Sequence, residues 1–224
     1  NILQIAEKNG QEVFLVGGYV RDMILGIASD KDAVSACSSS LRRIGNDYDL
    51  VVSRNAHIFS CDLATALGGR LVILDQETQT ARIICSEMAS LADTAPIAID
   101  VTLLRGSDII HDLQLRDITI NAMAVNLCNW CCLSQIDPSN DSSCIYVDRI
   151  IDPLNGLDDL RQKQIQLIGR QNIIDDPLRL IRAVRFSAQL QFTLTPESAA
   201  IIKELSHLIS TVAIERIIYE LLGI

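Results

Sequence analysis

Val13-Phe14-Leu15-Val16 is an unbroken apolar run that ends on Gly17-Gly18, and the apolar residues of Tyr19-Val20-Arg21-Asp22-Met23-Ile24-Leu25-Gly26 then recur at helical spacing. A buried strand entering a helix through a glycine pair commits this part of the chain to an α/β arrangement, and the spacing predicts that the helix stops at Gly26. Glycines at such a junction let backbone N–H groups come close to a phosphate. Arg21, in the first helical turn, can add a charge-assisted contact. The same residues also suit a plain tight turn with a surface arginine.

Further apolar runs at residues 48–52, 70–74, 82–85 and 97–103 read as strands, alternating with helical stretches up to about Val147. From Asp148 onward helical spacing dominates, at residues 157–162, 177–190, 196–208 and 213–222. The expected organisation is an α/β domain over residues 1–147 with a mixed sheet, followed by an all-α domain over residues 148–224. A chain of 224 residues with 49% hydrophobic content can fill one large core or two small ones. No apolar run approaches the ~18–20 residues that span a bilayer. No basic leader with a cleavage site opens the chain, so a cytoplasmic protein is expected. Because the sequence begins at Asn1 rather than Met, it is also expected to be a fragment.

Gly45-Asn46-Asp47-Tyr48-Asp49-Leu50-Val51-Val52 sets two carboxylates one residue apart at the mouth of an apolar strand. Alternation along a strand points Asp47 and Asp49 to the same side. Two such charges repel unless a cation lies between them, and Mg²⁺ favours oxygen ligands of this kind. Turn composition explains the same residues without any metal. Asp100, in the apolar run 95–102, is either a third carboxylate for that metal or a strand-end turn residue.

Leu115-Arg116-Asp117-Ile118-Thr119-Ile120-Asn121-Ala122 spaces Asp117 and Asn121 four apart, which on a helix is one face. That face can hydrogen-bond a ribose while Arg116 reaches a phosphate; it can equally be an amphipathic helix with an acidic first turn. Asp175-Asp176-Pro177 then opens another helix, with Pro177 suited to the first helical position and Asp176 to the cap. Arg179, Arg182 and Arg185 follow at three-residue spacing, as a basic stripe that either contacts ligand or is solvated.

Taken in order, Gly17-Gly18-Tyr19-Val20-Arg21-Asp22, Asp47-Tyr48-Asp49, Arg116-Asp117-Ile118-Thr119-Ile120-Asn121-Ala122 and Asp175-Asp176-Pro177-Leu178-Arg179 resemble the bacterial class II tRNA nucleotidyltransferase and poly(A) polymerase family. Ile151-Asp152-Pro153-Leu154-Asn155-Gly156-Leu157-Asp158-Asp159-Leu160 and Arg182-Ala183-Val184-Arg185-Phe186 add to the resemblance, which spans residues 13–222. It implies a polymerase-β-like nucleotidyltransferase head with a mixed sheet and a helical neck. It implies that Asp47 and Asp49 hold a catalytic Mg²⁺, and that Gly17, Gly18 and Arg21 handle the triphosphate. Arg116, Asp117 and Asn121 would meet ribose and phosphates, and Asp176 and Arg179 would read the base. Arg182 and Arg185 would lie near phosphates or the primer.

The implied activity is template-independent transfer of CMP and/or AMP from CTP and ATP to the 3′ end of tRNA, by attack of the RNA 3′-hydroxyl on the α-phosphate. Variants of that reading are a CC-adding or A-adding specialist, a poly(A) polymerase, and a catalytically silent nucleotide- or RNA-binding module. Cytosine and adenine each present an amino donor beside a ring-nitrogen acceptor, which an Asp acceptor next to an Arg donor complements.

The sequence departs from the family pattern at Leu115, where many relatives carry a second Arg, and at Asp175, where Glu is common. The link over residues 27–45 is longer than usual; it reads as a surface loop whose Arg42 and Arg43 are solvated. Only residues 103–112 separate the Asp100 strand from the second motif, a short connection that hints at CC addition. The formal charge of −9 fits RNA binding poorly, which the family answers with further helical domains beyond the neck. Cys128 and Cys131 form one Cys-x-x-Cys without a second pair or His at ligand spacing, so reduced thiols rather than zinc are expected.

Overall fold

The computed structural model describes residues 2–29, 47–85, 96–130 and 149–222. These fall into two compact units, Asn1–Asp112 with Ala124–Ile151, and Leu113–Met123 with Asp152–Ile224. The second unit therefore takes in an eleven-residue stretch, Leu113–Met123, that lies within residues 1–147 of the sequence-based division.

In the first unit, α1 (Ile2–Lys8) precedes β1 (Val13–Val16), which turns into α2 (Gly18–Ser29). The helix runs through Gly26 rather than stopping there: Ile24-Leu25 before it and Ile27-Ala28 after it continue the apolar pattern, and one interior glycine costs only about 0.5–1 kcal/mol. The expected 27–45 loop, with Arg42 and Arg43, lies mainly outside the described residues; the part inside them, 27–29, is helical. Strand β2 (Asp47–Val52), helix α3 (Ala56–Leu67), strands β3 (Arg70–Asp75), β4 (Thr80–Cys85) and β5 (Ile97–Leu103) and helix α4 (Ile109–Gln114) follow. Helix α3 ends at Gly68, whose φ of 64° is the left-handed conformation that glycine takes without strain. Strand β6 (Ala124–Asn126), the short helix α5 (Leu127–Trp130) and β7 (Ile150–Ile151) complete the unit.

The seven strands form one sheet in the order β3-β4-β5-β2-β1-β6-β7. The β2–β5 pair is parallel and the rest are antiparallel, so the sheet is mixed as expected. Phe59 and Leu63 of α3 are fully buried, as are Val13, Val52, Ala81, Ile83 and Val101 on the strands. Burial of this apolar area is the main stabilising term for the unit.

The second unit is helical, with α6 (Gly156–Gln162), α7 (Arg170–Asp175), α8 (Leu178–Leu190), α9 (Pro196–Leu205) and α10 (Ile214–Leu221). A small parallel pair joins β8 (Gln164–Ile165), after α6, to β9 (Thr193–Leu194), before α9. Pro196 opens α9 behind Thr195, whose hydroxyl accepts from the Ser198 N–H. Residues 206–208, expected within α9, belong instead to a 3₁₀ segment, Ser206–Thr211. Ile118, Ile120, Met123, Ile165, Leu167, Ile173 and Ala183 form its core.

Among the described residues, no helix is long and apolar enough to cross a membrane.

Gly156 opens α6 against the 3₁₀ turn Thr119–Asn121, and a Cβ there would collide with the Thr119 carbonyl oxygen. Gly156→Ala is expected to destabilise the second unit by about 1–3 kcal/mol, read as a lower urea midpoint with an unchanged slope.

Candidate functional site

The register of the first unit's sheet gathers its candidate residues at one end. Strand β1 runs antiparallel to β2 with Val16 opposite Asp49, so the chain that follows Val16 passes Tyr48 and Asp47. Gly17 and Gly18 therefore lie at the same end of the sheet as both carboxylates. Gly17 has φ 76°, which the turn into α2 requires and which a side chain would strain. The Arg21 guanidinium lies beside Gly18, its Nη2 3.5 Å from where a Cβ would stand. Arg21 is buried and its guanidinium is 2.7 Å from Asp22.

Asp47 and Asp49 are exposed at the start of β2, whereas Leu50, Val51 and Val52 are buried. Tyr48, between them, has its ring centroid 4.6 Å from that of Tyr19 on α2. Burial, with the neighbouring Tyr48, holds the Tyr19 phenol well above the usual tyrosine range. This aromatic contact joins the glycine turn to the carboxylate strand.

Asp49 is paired in parallel register with Asp100, and Asp100 in antiparallel register with Arg82. Arg82 grips Asp100 with two hydrogen bonds of 2.7 Å, Nε to Oδ1 and Nη2 to Oδ2. Asp100 is thus neither a turn residue nor, in this structure, part of a three-carboxylate cluster. Among the described residues no group of three or more His, Cys, Asp or Glu is arranged to hold a metal ion. The two exposed carboxylates still suit a hard divalent ion that completes its shell with water and phosphate oxygens. Cys61, Cys85 and Cys128 are free thiols; Cys131, Cys132 and Cys144 lie outside the described residues.

The second unit holds the remaining candidates. The predicted helix carrying Asp117 and Asn121 on one face does not form. Ile118 is extended and bridges to Leu167, and only Thr119–Asn121 makes a 3₁₀ turn. Both Asp117 and Asn121 are buried. Asp117 accepts from the Arg182 Nε at 2.8 Å and from the Ile118 N–H at 2.9 Å. Burial pushes its carboxyl upward, but the Arg182 charge and these hydrogen bonds outweigh burial and hold it below the usual range.

Arg182 also donates to Glu220 at 3.2 Å. Arg185 makes a 2.7 Å charge contact with the same carboxylate, its N–H not aligned on the acceptor, and stacks 4.4 Å over the Phe186 ring. The basic stripe on α8, expected either to contact ligand or to be solvated, has Arg182 and Arg185 committed to Asp117 and to the buried Glu220 of α10. Arg179 donates to the Arg116 carbonyl at 3.2 Å, and Asn172 donates to the same carbonyl at 2.6 Å. Asp176 does not cap α8. It closes α7 in an extended conformation, Pro177 takes the cap position, and the Asp176 carboxylate lies 3.3 Å from Arg216.

Sequence reading missed Arg82, Glu220 and Arg216, because each meets its partner across a strand pair or from a distant helix. The Arg105–Asp112 pair, 2.9 Å long with Asp112 buried, joins the loop after β5 to α4 and was also missed.

A family model described as the poly A polymerase head domain matches residues 13–166. A CC-adding tRNA nucleotidyltransferase from Geobacter sulfurreducens is 34% identical over 220 residues, covering 98% of this chain and 42% of the relative. Another, from Synechocystis, is 32% identical over 203 residues, covering 91% of this chain and 39% of the relative. The solved structure of the Thermotoga maritima CCA-adding enzyme complexed with tRNA superposes with a TM-score of 0.72 at 26% identity, covering 99% of this chain and 45% of that one. The chain thus spans about two-fifths of the length of the curated relatives it matches.

Asp117→Ala, which strands a partly buried Arg182, is expected to cost about 2–3 kcal/mol in urea unfolding, less than a fully buried pair because Arg182 keeps some solvent. Because the native Asp117 carboxyl is held low, its stabilisation is complete above the ordinary carboxylate range and is lost as pH falls through the lowered native value. The urea midpoint of the native chain should accordingly fall more steeply on acidification than that of Asp117→Asn.

Proposed function

This chain belongs to the poly A polymerase head-domain family, and from that premise we propose that it carries template-independent nucleotidyl transfer from CTP and/or ATP to the 3′ end of tRNA. The observation that carries the reading is the convergence of Asp47, Asp49, Gly17, Gly18 and Arg21 at one end of the sheet, set by the Val16–Asp49 register. The nucleotidyltransferases named above act on tRNA, and a tRNA-processing role would suit a cytoplasmic location.

In this proposal Asp47 and Asp49 hold a divalent ion, Mg²⁺ by the chemistry of two hard oxygen donors. Such an ion, when bound, supplies Lewis-acid stabilisation of charge on the phosphoryl oxygens. The Gly17 turn and the first N–H groups of α2 face the triphosphate, with Arg21 adding a cationic contact. The RNA 3′-hydroxyl attacks the α-phosphate and pyrophosphate leaves, with no covalent protein intermediate. In the second unit, Arg116, Asp117 and Asn121 are the ribose and phosphate candidates. The Asp117 carboxylate would reach a ribose only by exchanging Arg182 and the Ile118 N–H. Asp176 and Arg179 read the base edge, and Arg182 and Arg185 would reach phosphate or primer only by exchanging Asp117 and Glu220.

Among specialists, CC addition is favoured by the short connection after β5, which is filled by α4, and by the names of both tRNA nucleotidyltransferase relatives.

Asp47→Ala and Asp49→Ala are each expected to lower transfer to tRNA by at least ~10³-fold while leaving the circular dichroism and melting of the chain near native. Substantial metal-dependent turnover in either variant would overturn the assignment. Arg179→Ala is expected to erode the preference for CTP and ATP over GTP and UTP by roughly 5–150-fold, the effect of one polar group left unpaired at about 1–3 kcal/mol. An intact preference would refute base reading by this residue.

A further inference from the structure

Across the first unit's sheet, one row of directly paired residues runs Val72, Arg82, Asp100, Asp49, Val16. Paired residues on neighbouring strands put their side chains on the same face, and the strands are ~4.8 Å apart. Asp100 therefore stands between Asp49 and Arg82, within reach of both. It is Arg82 that takes it: both carboxylate oxygens are engaged in a fork of two 2.7 Å hydrogen bonds. A bidentate fork fixes the carboxylate plane and occupies one lone pair on each oxygen, which sets it against turning toward Asp49.

We propose that Arg82 is a positioning residue that withholds Asp100 from the metal held by Asp47 and Asp49, and thereby keeps the divalent affinity of the nucleotide-free protein low. The proposal rests on the metal reading of Asp47 and Asp49 given above. Released from Arg82, Asp100 would raise the charge on that face from two carboxylates to three and offer a third protein oxygen. With Asp100 withheld, the ion depends on triphosphate oxygens to complete its shell, so it binds productively only with a nucleotide. A two-carboxylate site also favours Mg²⁺, which keeps several waters, over Ca²⁺, which takes six to eight oxygen ligands.

The test uses Mn²⁺ as the probe, with free ion counted by electron paramagnetic resonance in the absence of nucleotide. Arg82→Gln is expected to bind Mn²⁺ roughly tenfold more tightly, and Asp100→Asn to stay within about twofold of the native chain. The double variant Arg82→Gln with Asp100→Asn should return to the native affinity, because the gain comes from Asp100. If Arg82→Gln does not fold, Arg82→Lys serves in its place: an ammonium cannot form the fork, and tighter binding is again expected. Unchanged affinity in the Arg82 variant, or a loss in Asp100→Asn as large as that in Asp49→Asn, would overturn the proposal alone. Mn²⁺ binding insensitive to both Asp47→Asn and Asp49→Asn would overturn the metal reading and this proposal with it.

Discussion

The register of β2 between β1 and β5 is the constraint on which the first unit's chemistry depends. Strand β2 is central, antiparallel to β1 and parallel to β5, so a single residue, Asp49, is fixed against Val16 on one side and Asp100 on the other. A slip of one residue would send Asp47 and Asp49 to the opposite face and bring Tyr48 to theirs. The buried triplet Leu50-Val51-Val52 resists that slip, and the Tyr19–Tyr48 contact pins the strand's exposed start to α2. Exposed, mutually repelling carboxylates are thus held on a strand anchored by its apolar half.

The second unit solves a different problem. Four of its ionic side chains, Asp117, Arg182, Arg185 and Glu220, are wholly or partly withdrawn from solvent, and each would be costly alone. Their mutual pairing removes most of that cost and ties α8 to α10 and to the extended stretch around Ile118. Such networks add less to stability than an apolar core would, and more to the uniqueness of one arrangement. For a unit proposed to discriminate between bases, a fixed arrangement of Arg179 and Asp176 is what the task needs.

Much of this was legible in the sequence. Residues 13–16 and 97–103 were read as strands with the observed limits, because apolar runs of strand length bounded by turn residues leave little choice. Helix α8 was read from its periodicity. The failures have local causes. Gly26 looked like a stop, but the apolar pattern continued past it. Asp117 and Asn121 looked like one helical face, but Ile118 is drawn into an extended bridge with Leu167, a contact forty-nine residues away that spacing cannot reveal. The arginine stripe was open to ligand contact or to solvent, because its counter-charge, Glu220, lies on α10, thirty-five residues beyond Arg185. Arg82 and Asp100 are eighteen residues apart, and only the β4–β5 register makes them neighbours.

The most direct test of the account gives the protein a tRNA lacking its last three nucleotides and a divalent ion. CTP and ATP are supplied separately and together, and products are sized at single-nucleotide resolution. The account predicts extension that halts at a defined C, CC or CCA end. An unbounded A tail, or no extension at all, would contradict it.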